Sequence, residues 1–250
     1  MNDLIPSTTD VPVETLSADA EGEVSLPQDI VEQLRDGGLK QQLQLIDTIA
    51  QAGHPSVLMA FLKQQMTEPP NATPAVGYAL QMLSQSSASG DELDALADAL
   101  VPMPSDRQID YCPLRQHLMT QDFQAADRVT LEKLCELAGA AAVKRKWLYF
   151  SEVNQFPVAD LTTIDLLWRI FSQGKFGFSV QRDLWLSVGQ NWGRLWPKIG
   201  WRSETWTRYP DEFTWSLSAP RGHLPLSNQL RGVRAMAALM NHPAWNPPQS

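Results

Sequence analysis

Apolar side chains return every three or four residues along most of the chain, which is the spacing of one face of an α-helix. Between residues 25 and 101 they form five short stripes separated by Gly, Pro or Ser, residues that end helices or turn the chain. This pattern predicts five short amphipathic helices packed as an antiparallel bundle or a short solenoid. The stripes are Ile30, Val31 and Leu34; Leu39, Leu43, Ile46 and Ile49; Val57, Leu58, Phe61 and Leu62; Val76, Ala79, Leu80 and Leu83; and Leu93, Leu96 and Leu100.

The helical pattern is interrupted once and then resumes. Residues 102–113 contain three prolines and predict a stiff linker, because proline cannot continue a helix. Residues 114–250 predict further helices, interrupted at residues 200–226 by a stretch without a sustained period. A long ordered loop of that kind is usually functional. Residues 1–24 lack aromatic side chains and are rich in Ser, Thr and acids, which predicts a disordered tail.

These elements predict an all-α protein with two folded parts. A helical bundle over residues 25–101 precedes a mostly helical domain over residues 114–250 that carries long ordered loops. Ser227 is predicted to cap the last helix, which ends before Pro243. In that helix the predicted core stripe is Leu230, Val233, Ala237 and Met240.

The distribution of charge also changes near the boundary between the two predicted parts. The formal net charge is -8, but residues 1–110 carry 4 basic and 17 acidic side chains, whereas residues 111–250 carry 16 and 11. The acidic front half argues against nucleic-acid binding there. The two cysteines, Cys112 and Cys135, form no zinc or disulfide pattern, which favours a reducing compartment. The sequence offers neither a signal or transit peptide nor a membrane-spanning run, so we expect a soluble protein.

Aromatic and basic residues concentrate in the second half. All nine tryptophans lie between Trp147 and Trp245, and basic residues are interspersed from Lys175 to Arg234. Indole and phenyl rings interleaved with cations suit a flat, apolar ligand that bears anionic groups. The alternative is a tryptophan-rich core with a basic surface.

Individual polar residues allow the same two interpretations. Arg231 and Arg234 are three positions apart, so they share a helix face and could reach a pair of carboxylates, or they form an ordinary solvated face. His223 could ligate a metal, although a histidine in such a loop more often bonds a backbone carbonyl. The chain has no phosphate-binding loop, dinucleotide fingerprint or nucleophile motif, so we expect no catalytic residues and no enzymatic activity.

Several motifs of the second half, taken in order, resemble the genomes-uncoupled-four family of tetrapyrrole-binding regulators of magnesium chelatase. The resemblance covers residues 111–250, and the front half is similar to the helical bundle of cyanobacterial members. The motifs are Phe156-Pro157, Asp160-Leu161, Ile164-Asp165, Leu167-Trp168, the run from Gly174 to Gln181, Gly200-Trp201, Ala219-Pro220, and Gly222 to Pro225.

The resemblance implies an all-helical domain shaped like a cupped hand that binds protoporphyrin IX or magnesium protoporphyrin IX and holds no metal of its own. It implies a non-catalytic activator in chlorophyll biosynthesis whose partner is the large porphyrin-binding subunit of magnesium chelatase. The expected location is the cytoplasm, or peripheral contact at the thylakoid membrane. The alternatives are an interaction module or a pigment-storage or photoprotective binder.

The same resemblance suggests which residues contact the porphyrin. Three come from the final helix, and the others come from the loop at residues 206–215 and the loop at residues 144–156. They are Asn228, Arg231 and Arg234; Trp206, Tyr209, Phe213 and Trp215; and Trp147, Phe150 and Phe156.

Overall fold

The computed structural model describes residues 30, 33–34, 37–66, 72–86, 90–226 and 233–246. Over these residues the chain forms twelve α-helices and no strand, which confirms the all-α prediction. The tail at residues 1–24 and most of the first predicted helix lie outside the described residues. The helices are α1 Leu39–Gln51, α2 Pro55–Gln65, α3 Pro74–Gln85, α4 Asp91–Leu100, α5 Cys112–Met119, α6 Phe123–Ala138, α7 Ala140–Arg145, α8 Phe150–Val153, α9 Val158–Phe171, α10 Phe178–Ser187, α11 Trp192–Lys198 and α12 Val233–Met240; a 3₁₀ turn follows at Pro243–Trp245.

Helix α3 is the centre of the front bundle. The Thr73 hydroxyl caps it by accepting a hydrogen bond from the Val76 N–H at 3.3 Å. Its apolar stripe is fully buried against α1, α2 and α4, as the spacing of Val76, Ala79 and Leu80 predicts. The opposite side of α3 packs against α9 in the second half. The bundle therefore shares one continuous apolar core with the helices that follow it. Independent folding of the two predicted domains stays a prediction.

The α3–α9 contact is close because α3 carries a glycine at the crossing. A Cβ built on Gly77 would lie 2.2 Å from the Ile170 Cγ2 atom and 2.6 Å from the Ile170 carbonyl oxygen. Four residues later, the buried Gln81 amide donates to the Leu118 carbonyl at 3.1 Å and the Phe171 carbonyl at 2.9 Å. These bonds satisfy carbonyls at the ends of α5 and α9, so they fix α3 to two helices of the second half.

We expect Gly77→Ala to destabilise the whole chain, because the added methyl group would force α3 away from α9. Overpacking of this kind costs about 1–3 kcal/mol, and more where backbone must move. Urea unfolding would measure the loss. Gly90→Ala is the matched control, because nothing lies within 4 Å of a Cβ at that position. Equal stability of the two variants would contradict the close crossing.

The predicted linker at residues 102–113 is bound tightly to the second half. The Asp160 carboxylate, fully buried at the start of α9, accepts hydrogen bonds from the Ser105 hydroxyl at 2.5 Å, the Asp106 N–H at 3.0 Å and the Tyr111 hydroxyl at 2.8 Å. The Arg107 guanidinium donates to the carbonyls of Leu137 and Gln155. This segment therefore turns at residues 106–107 and is held to the end of α6 and the start of α9 by hydrogen bonds.

The core of the second half is aromatic. Phe123 of α6 stacks on Trp168 of α9 with ring centroids 6.1 Å apart and meets Phe176 edge-on at 5.5 Å. The Trp168 indole N–H donates to the Thr130 hydroxyl at 2.9 Å, so this buried donor has a hydrogen-bond partner. Part of the tryptophan content is thus structural, as the alternative interpretation of the sequence allowed.

Helix α12 packs on α8 and α10, and its buried face differs from the predicted one. The buried side chains are Ala235, Met236, Leu239 and Met240. Val233, predicted to be in the core, is 44% exposed. Of the predicted stripe, Met240 is buried, Ala237 is partly buried, and Leu230 lies outside the described residues. The prediction was wrong at Val233, because the side of α12 that faces α8 and α10 carries Ala235, Met236 and Leu239 instead.

Candidate functional site

The long loop predicted at residues 200–226 is present and anchored at both ends. The Gly177 N–H donates to the Leu224 carbonyl at 3.0 Å, and the Gly222 N–H donates to the Lys175 carbonyl at 2.9 Å. The buried Gln181 amide donates to the carbonyls of Gly222 and Pro225 at 3.0 and 2.7 Å. The base of the loop is therefore fixed to α10 and to the turn before it, whereas most of residues 202–212 are exposed.

His223 holds the two sides of this loop together. Its Nδ1 lies 2.6 Å from the Ile199 carbonyl oxygen, which can only accept, so Nδ1 carries the proton. Its Nε2 accepts the Thr214 N–H at 3.3 Å, and its carbonyl accepts the Trp201 indole N–H at 2.8 Å. Both ring nitrogens are used, so the bond to a backbone carbonyl, and not metal ligation, is the role that the structure shows.

The His223 ring should make stability depend on pH. Burial lowers the pKa of His223 below its ordinary value of 6.5, because the charged imidazolium is poorly solvated there. The associated stability is present above about pH 6.5 and is lost as the pH falls through the pKa of the folded state. Urea unfolding at about pH 7.5 and about pH 5 should show a larger loss of unfolding free energy for the wild type than for His223→Gln. The buried His242 is common to both proteins and cancels; identical pH dependence would contradict this role.

The rings of the loop form two separate clusters. Tyr209, Phe213 and Trp215 contact one another at centroid distances of 5.9–6.5 Å, and Phe213 also meets His223 at 5.4 Å. Trp206 instead packs on Trp196 of α11 at 5.7 Å, under the Arg202 guanidinium. The structure thus separates Trp206 from the other three predicted binding residues of this loop.

The second predicted loop, at residues 144–156, is organised by one arginine. The Arg145 guanidinium lies over the rings of Trp147 and Tyr149 at 5.0 and 4.5 Å, and it pairs with both carboxylate oxygens of Glu152. Phe150 and Tyr149 remain 46% and 48% exposed. The rings of Tyr149 and Phe150 therefore face solvent, in a turn that the contacts of Arg145 stabilise. Phe156, by contrast, is buried.

A cavity of about 420 Å³ lies between α6 and α7. This volume is within the range of small-molecule sites. Its apolar part comes from one stripe of α6 and from Val143 of α7, and its rim carries both positive and negative side chains. The lining residues are Arg128, Leu131, Glu132, Cys135, Glu136, Val143 and Lys146. Burial raises the pKa of the Cys135 thiol to about 11, so this side chain is neutral and adds to the apolar wall.

Both predicted loops lie close to this cavity. At one end of the α6 stripe, the Leu226 N–H donates to the Asp127 carboxylate at 2.6 Å, which fixes the end of the long loop beside Arg128. Burial raises the pKa of Tyr209 in that loop, the Asp127 charge raises it further, and the Arg128 charge lowers it. The loop at residues 144–156 contributes Lys146 to the lining of the cavity. From Arg128 to Cys135 the helix rises about 10 Å. We call this region the cup: the α6–α7 cavity together with the parts of the two loops that adjoin α6 and α7.

A second cavity of about 370 Å³ is less suited to a flat apolar ligand. Charged and hydroxyl side chains line much of it, among them Asp165, Arg169 and Arg182. The buried Asp165 carboxylate is already bonded to the N–H and the hydroxyl of Ser179 at 2.8 and 2.7 Å. These bonds anchor the start of α10. The cup is therefore the better candidate site.

Comparison with known proteins agrees with the architecture. The family model described as GUN4-like matches residues 104–243, more than half of the chain. The chain belongs to the GUN4-like family. A Ycf53-like protein from Synechocystis is 46% identical over 223 residues, which cover 87% of this chain and 96% of that protein. The chloroplastic tetrapyrrole-binding protein of Arabidopsis thaliana is 41% identical over 142 residues, which cover 53% of this chain and 54% of that protein.

The GUN4 structure from Chlamydomonas reinhardtii is 41% identical, covers 58% of this chain and 96% of its own length, and superposes with a TM-score of 0.54. The match to the Synechocystis protein extends well beyond that share, which supports a GUN4-like protein of the cyanobacterial type. The family and fold predicted from the motifs are thereby confirmed. The motif residues Asp160, Asp165 and His223 hold the GUN4-like scaffold through buried hydrogen bonds.

The binding residues predicted from the GUN4-like motifs are distributed unevenly about the cup. Tyr209 lies within electrostatic range of Arg128 on its rim, Trp147 and Phe150 lie in the loop that contributes Lys146 to its lining, and Arg234 is exposed on α12. Asn228 and Arg231 lie outside the described residues. The described residue before that gap is anchored on α6, because the Leu226 N–H donates to the Asp127 carboxylate at 2.6 Å.

Sequence reasoning missed the floor of the cup. Arg128, Leu131 and Cys135 lie on one stripe of α6, and Val143 is 47% exposed on α7. The period of α6 was visible, but an amphipathic pattern does not show whether its apolar face meets a core or a ligand. Val143 could have been noticed as an apolar residue immediately before the basic run at residues 144–146.

None of the helices in the described ranges is long and apolar enough to cross a membrane. The same residues contain no cluster of three or more side chains suited to binding a metal ion.

Proposed function

We propose that this GUN4-like protein binds a porphyrin in the cup and acts as a non-catalytic activator of magnesium chelatase in chlorophyll biosynthesis. The observation that carries the proposal is an open cavity with an apolar floor and a charged rim, adjoining a loop with exposed rings, in a chain whose Arabidopsis relative is called a tetrapyrrole-binding protein. The ligand is protoporphyrin IX or magnesium protoporphyrin IX, and the partner is the large porphyrin-binding subunit of the chelatase.

The apolar part of the cup suits the face of a porphyrin. Leu131, Val143 and the neutral Cys135 offer an apolar surface without strong hydrogen-bonding groups of their own. Exposed Tyr149, Phe150 and Tyr209 supply rings that can stack on a macrocycle. Removal of these surfaces from water would favour binding by about 25 cal/mol for each Å² of apolar area.

The rim offers cations for the two propionates. Arg128 and Lys146 line the cavity, and over the described residues neither has a carboxylate oxygen within 4.0 Å. Arg234 is exposed on α12, and we propose that Arg231 and Asn228 act beside it, as the family resemblance implies. Guanidinium groups bind carboxylates through paired, charge-assisted hydrogen bonds. Glu132 and Glu136 on the same rim would repel a propionate, so they favour one orientation of the ligand.

The proposed role requires no chemistry from the protein. An activator can act by presenting the porphyrin to the chelatase or by accepting the product, provided that it binds differently to the two states of the enzyme. We propose that the protein works in the cytoplasm, with peripheral contact at the thylakoid membrane. The rival functions, pigment storage or photoprotection without activation and a pure interaction module, are separated by the experiment below.

Titration with a water-soluble protoporphyrin analogue should quench the tryptophan fluorescence in a saturable manner, at about one ligand per chain, because indoles lie on both loops beside the cup. Esterification of the propionates should weaken binding by about 1.5–3 kcal/mol for each ion-paired carboxylate. Linear quenching without saturation would contradict the binding site.

The activator role has its own readout, which is the rate of magnesium insertion by a purified chelatase at limiting porphyrin. The protein should raise that rate and should insert no metal by itself. Saturable porphyrin binding together with an unchanged chelatase rate would favour storage or photoprotection.

A further inference from the structure

One ion pair joins the two ends of the loop at residues 144–156, which contributes Lys146 to the lining of the cup. The Nη2 atom of Arg145, the last residue of α7, donates to both carboxylate oxygens of Glu152 in α8, at 2.8 and 2.7 Å. The two side chains are only 23% and 22% exposed, so salt screens this pair less than it would screen a pair at the surface.

The same ion pair fixes the aromatic residues that lie between its members. The Arg145 guanidinium lies over the rings of Trp147 and Tyr149, and these two rings meet edge-on at 4.5 Å. Glu152 also accepts the Tyr149 N–H at 2.8 Å, which caps the start of α8. Phe150 begins that helix, so the cap also determines where this exposed ring lies. We call the four connected residues the Arg145 network: Arg145, Trp147, Tyr149 and Glu152.

The Arg145 network adjoins the part of the cup that this loop forms. Lys146 lines the cavity with a left-handed backbone, at a φ of 62°. Residues other than glycine rarely adopt that conformation, and surrounding contacts must hold them in it. The residues on either side of Lys146 both belong to the network. Burial raises the pKa of Cys135 on the cup floor and the Arg145 charge opposes that rise, so the guanidinium is within electrostatic range of the floor.

Arg145 is not placed to bind the ligand directly. Over the described residues it does not line the cavity, and its Nη2 atom is occupied by Glu152 and by the Trp147 carbonyl at 3.4 Å. The exposed rings of this loop belong to Tyr149 and Phe150. An effect of Arg145 on a bound ligand must therefore pass through the loop that it holds.

We infer that Arg145 and Glu152 are positioning residues of the porphyrin site, which hold the rings of Tyr149 and Phe150 in one arrangement before the ligand binds. The inference rests on the proposed function, because these residues have this role only if the cup binds a porphyrin. A loop that is already ordered in the free protein loses little conformational entropy on binding. Without the ion pair, ordering of the loop would oppose binding and lower the affinity.

The test is Glu152→Gln, which removes the charge and keeps the shape of the side chain. Trypsin should cleave the basic run at residues 144–146 faster in this variant, because cleavage requires the loop to open. The Kd for a water-soluble protoporphyrin analogue should rise roughly tenfold. Glu92→Gln is the matched control, since it makes the same substitution in the ion pair with Lys63 at 2.8 Å in the front bundle. Its trypsin cleavage and Kd should equal those of the wild type.

A second background shows whether Glu152 acts through the rings or only stabilises the fold. In a chain that carries Tyr149→Ala/Phe150→Ala, the further change Glu152→Gln should alter the Kd by no more than about twofold, because residues that act as one unit are not additive. The same loss in both backgrounds would overturn the inference, and so would a Glu152→Gln variant with wild-type cleavage and Kd. If the wild type binds no porphyrin, the proposed function itself is wrong; saturable binding by the wild type with an unaffected variant makes only the inference wrong.

Discussion

A chain that carries Val143→Asp should keep its fold and lose most of its affinity for porphyrin. Val143 is 47% exposed on α7 and lines the cup, so a carboxylate there is solvated in the free protein. A bound macrocycle would cover that carboxylate and remove its water, and burial of an unpaired charge is costly. We expect at least a roughly 100-fold rise in Kd, or about 2.7 kcal/mol. The fluorescence titration described above measures it.

Val158→Asp is the control for this experiment. Val158 is also a valine that is 47% exposed, but it begins α9 and does not line the cup. Its variant should bind porphyrin as tightly as the wild type. Circular dichroism and the unfolding midpoint would establish that both variants are folded. Tight binding by folded Val143→Asp would mean that the ligand occupies another surface.

The second large effect should come from Asp160→Ala, which removes the acceptor that holds residues 105–111. Without its carboxylate, the donors of Ser105, Asp106 and Tyr111 lose their partner. The Tyr111 hydroxyl is left in the interior, whereas Ser105 is half-buried and Asp106 is exposed. Buried donors left unpaired cost about 1–3 kcal/mol each, and we expect a total of about 3–5 kcal/mol because the segment can shift to recover part of it. For a chain of this size each kcal/mol lowers Tm by about 2–4 °C.

Asp183→Ala provides the comparison for Asp160→Ala, because Asp183 is exposed on α10 and the structure gives it no hydrogen bond over the described residues. Its Tm should remain close to that of the wild type. Asp160→Asn should fall between the two, because the amide keeps one acceptor oxygen. A Tm for Asp160→Ala close to that of Asp183→Ala would show that the contacts with Asp160 do not hold the linker.

The helices could be predicted from the sequence because their apolar period is a local property. Residues 57–62 and 76–83 fall inside α2 and α3, where the spacing placed them. The close approach of α3 to α9 could not be predicted, because Gly77 is unremarkable until Ile170 is known to lie against it. Val233 of α12 was misassigned for a similar reason: the spacing fits a helix face, but only the contacts with α8 and α10 decide which side is buried.

In the candidate site, too, some residues could be recognised from the sequence and others could not. The motifs that carried the resemblance include Asp160, Asp165, Trp201 and His223, and the structure uses these residues to brace loops and helix ends. They identify the family because the scaffold depends on them. The side chains of the cup floor, such as Leu131 and Val143, are ordinary apolar residues whose role appears only when two helices are placed side by side.

Helix α6 belongs to both the core and the cup, and this affects the abundance of the protein in a cell. One side of it contributes Phe123, Val129 and Leu134 to the interior, and the other side forms the floor of the cup. Unfolding of the chain destroys the cup, so only the folded state binds a ligand there. A ligand at a concentration 100 times its Kd therefore stabilises the folded state by about 2.7 kcal/mol. Copies without pigment would be open to proteolysis more often, and the abundance of the protein would follow the supply of its ligand.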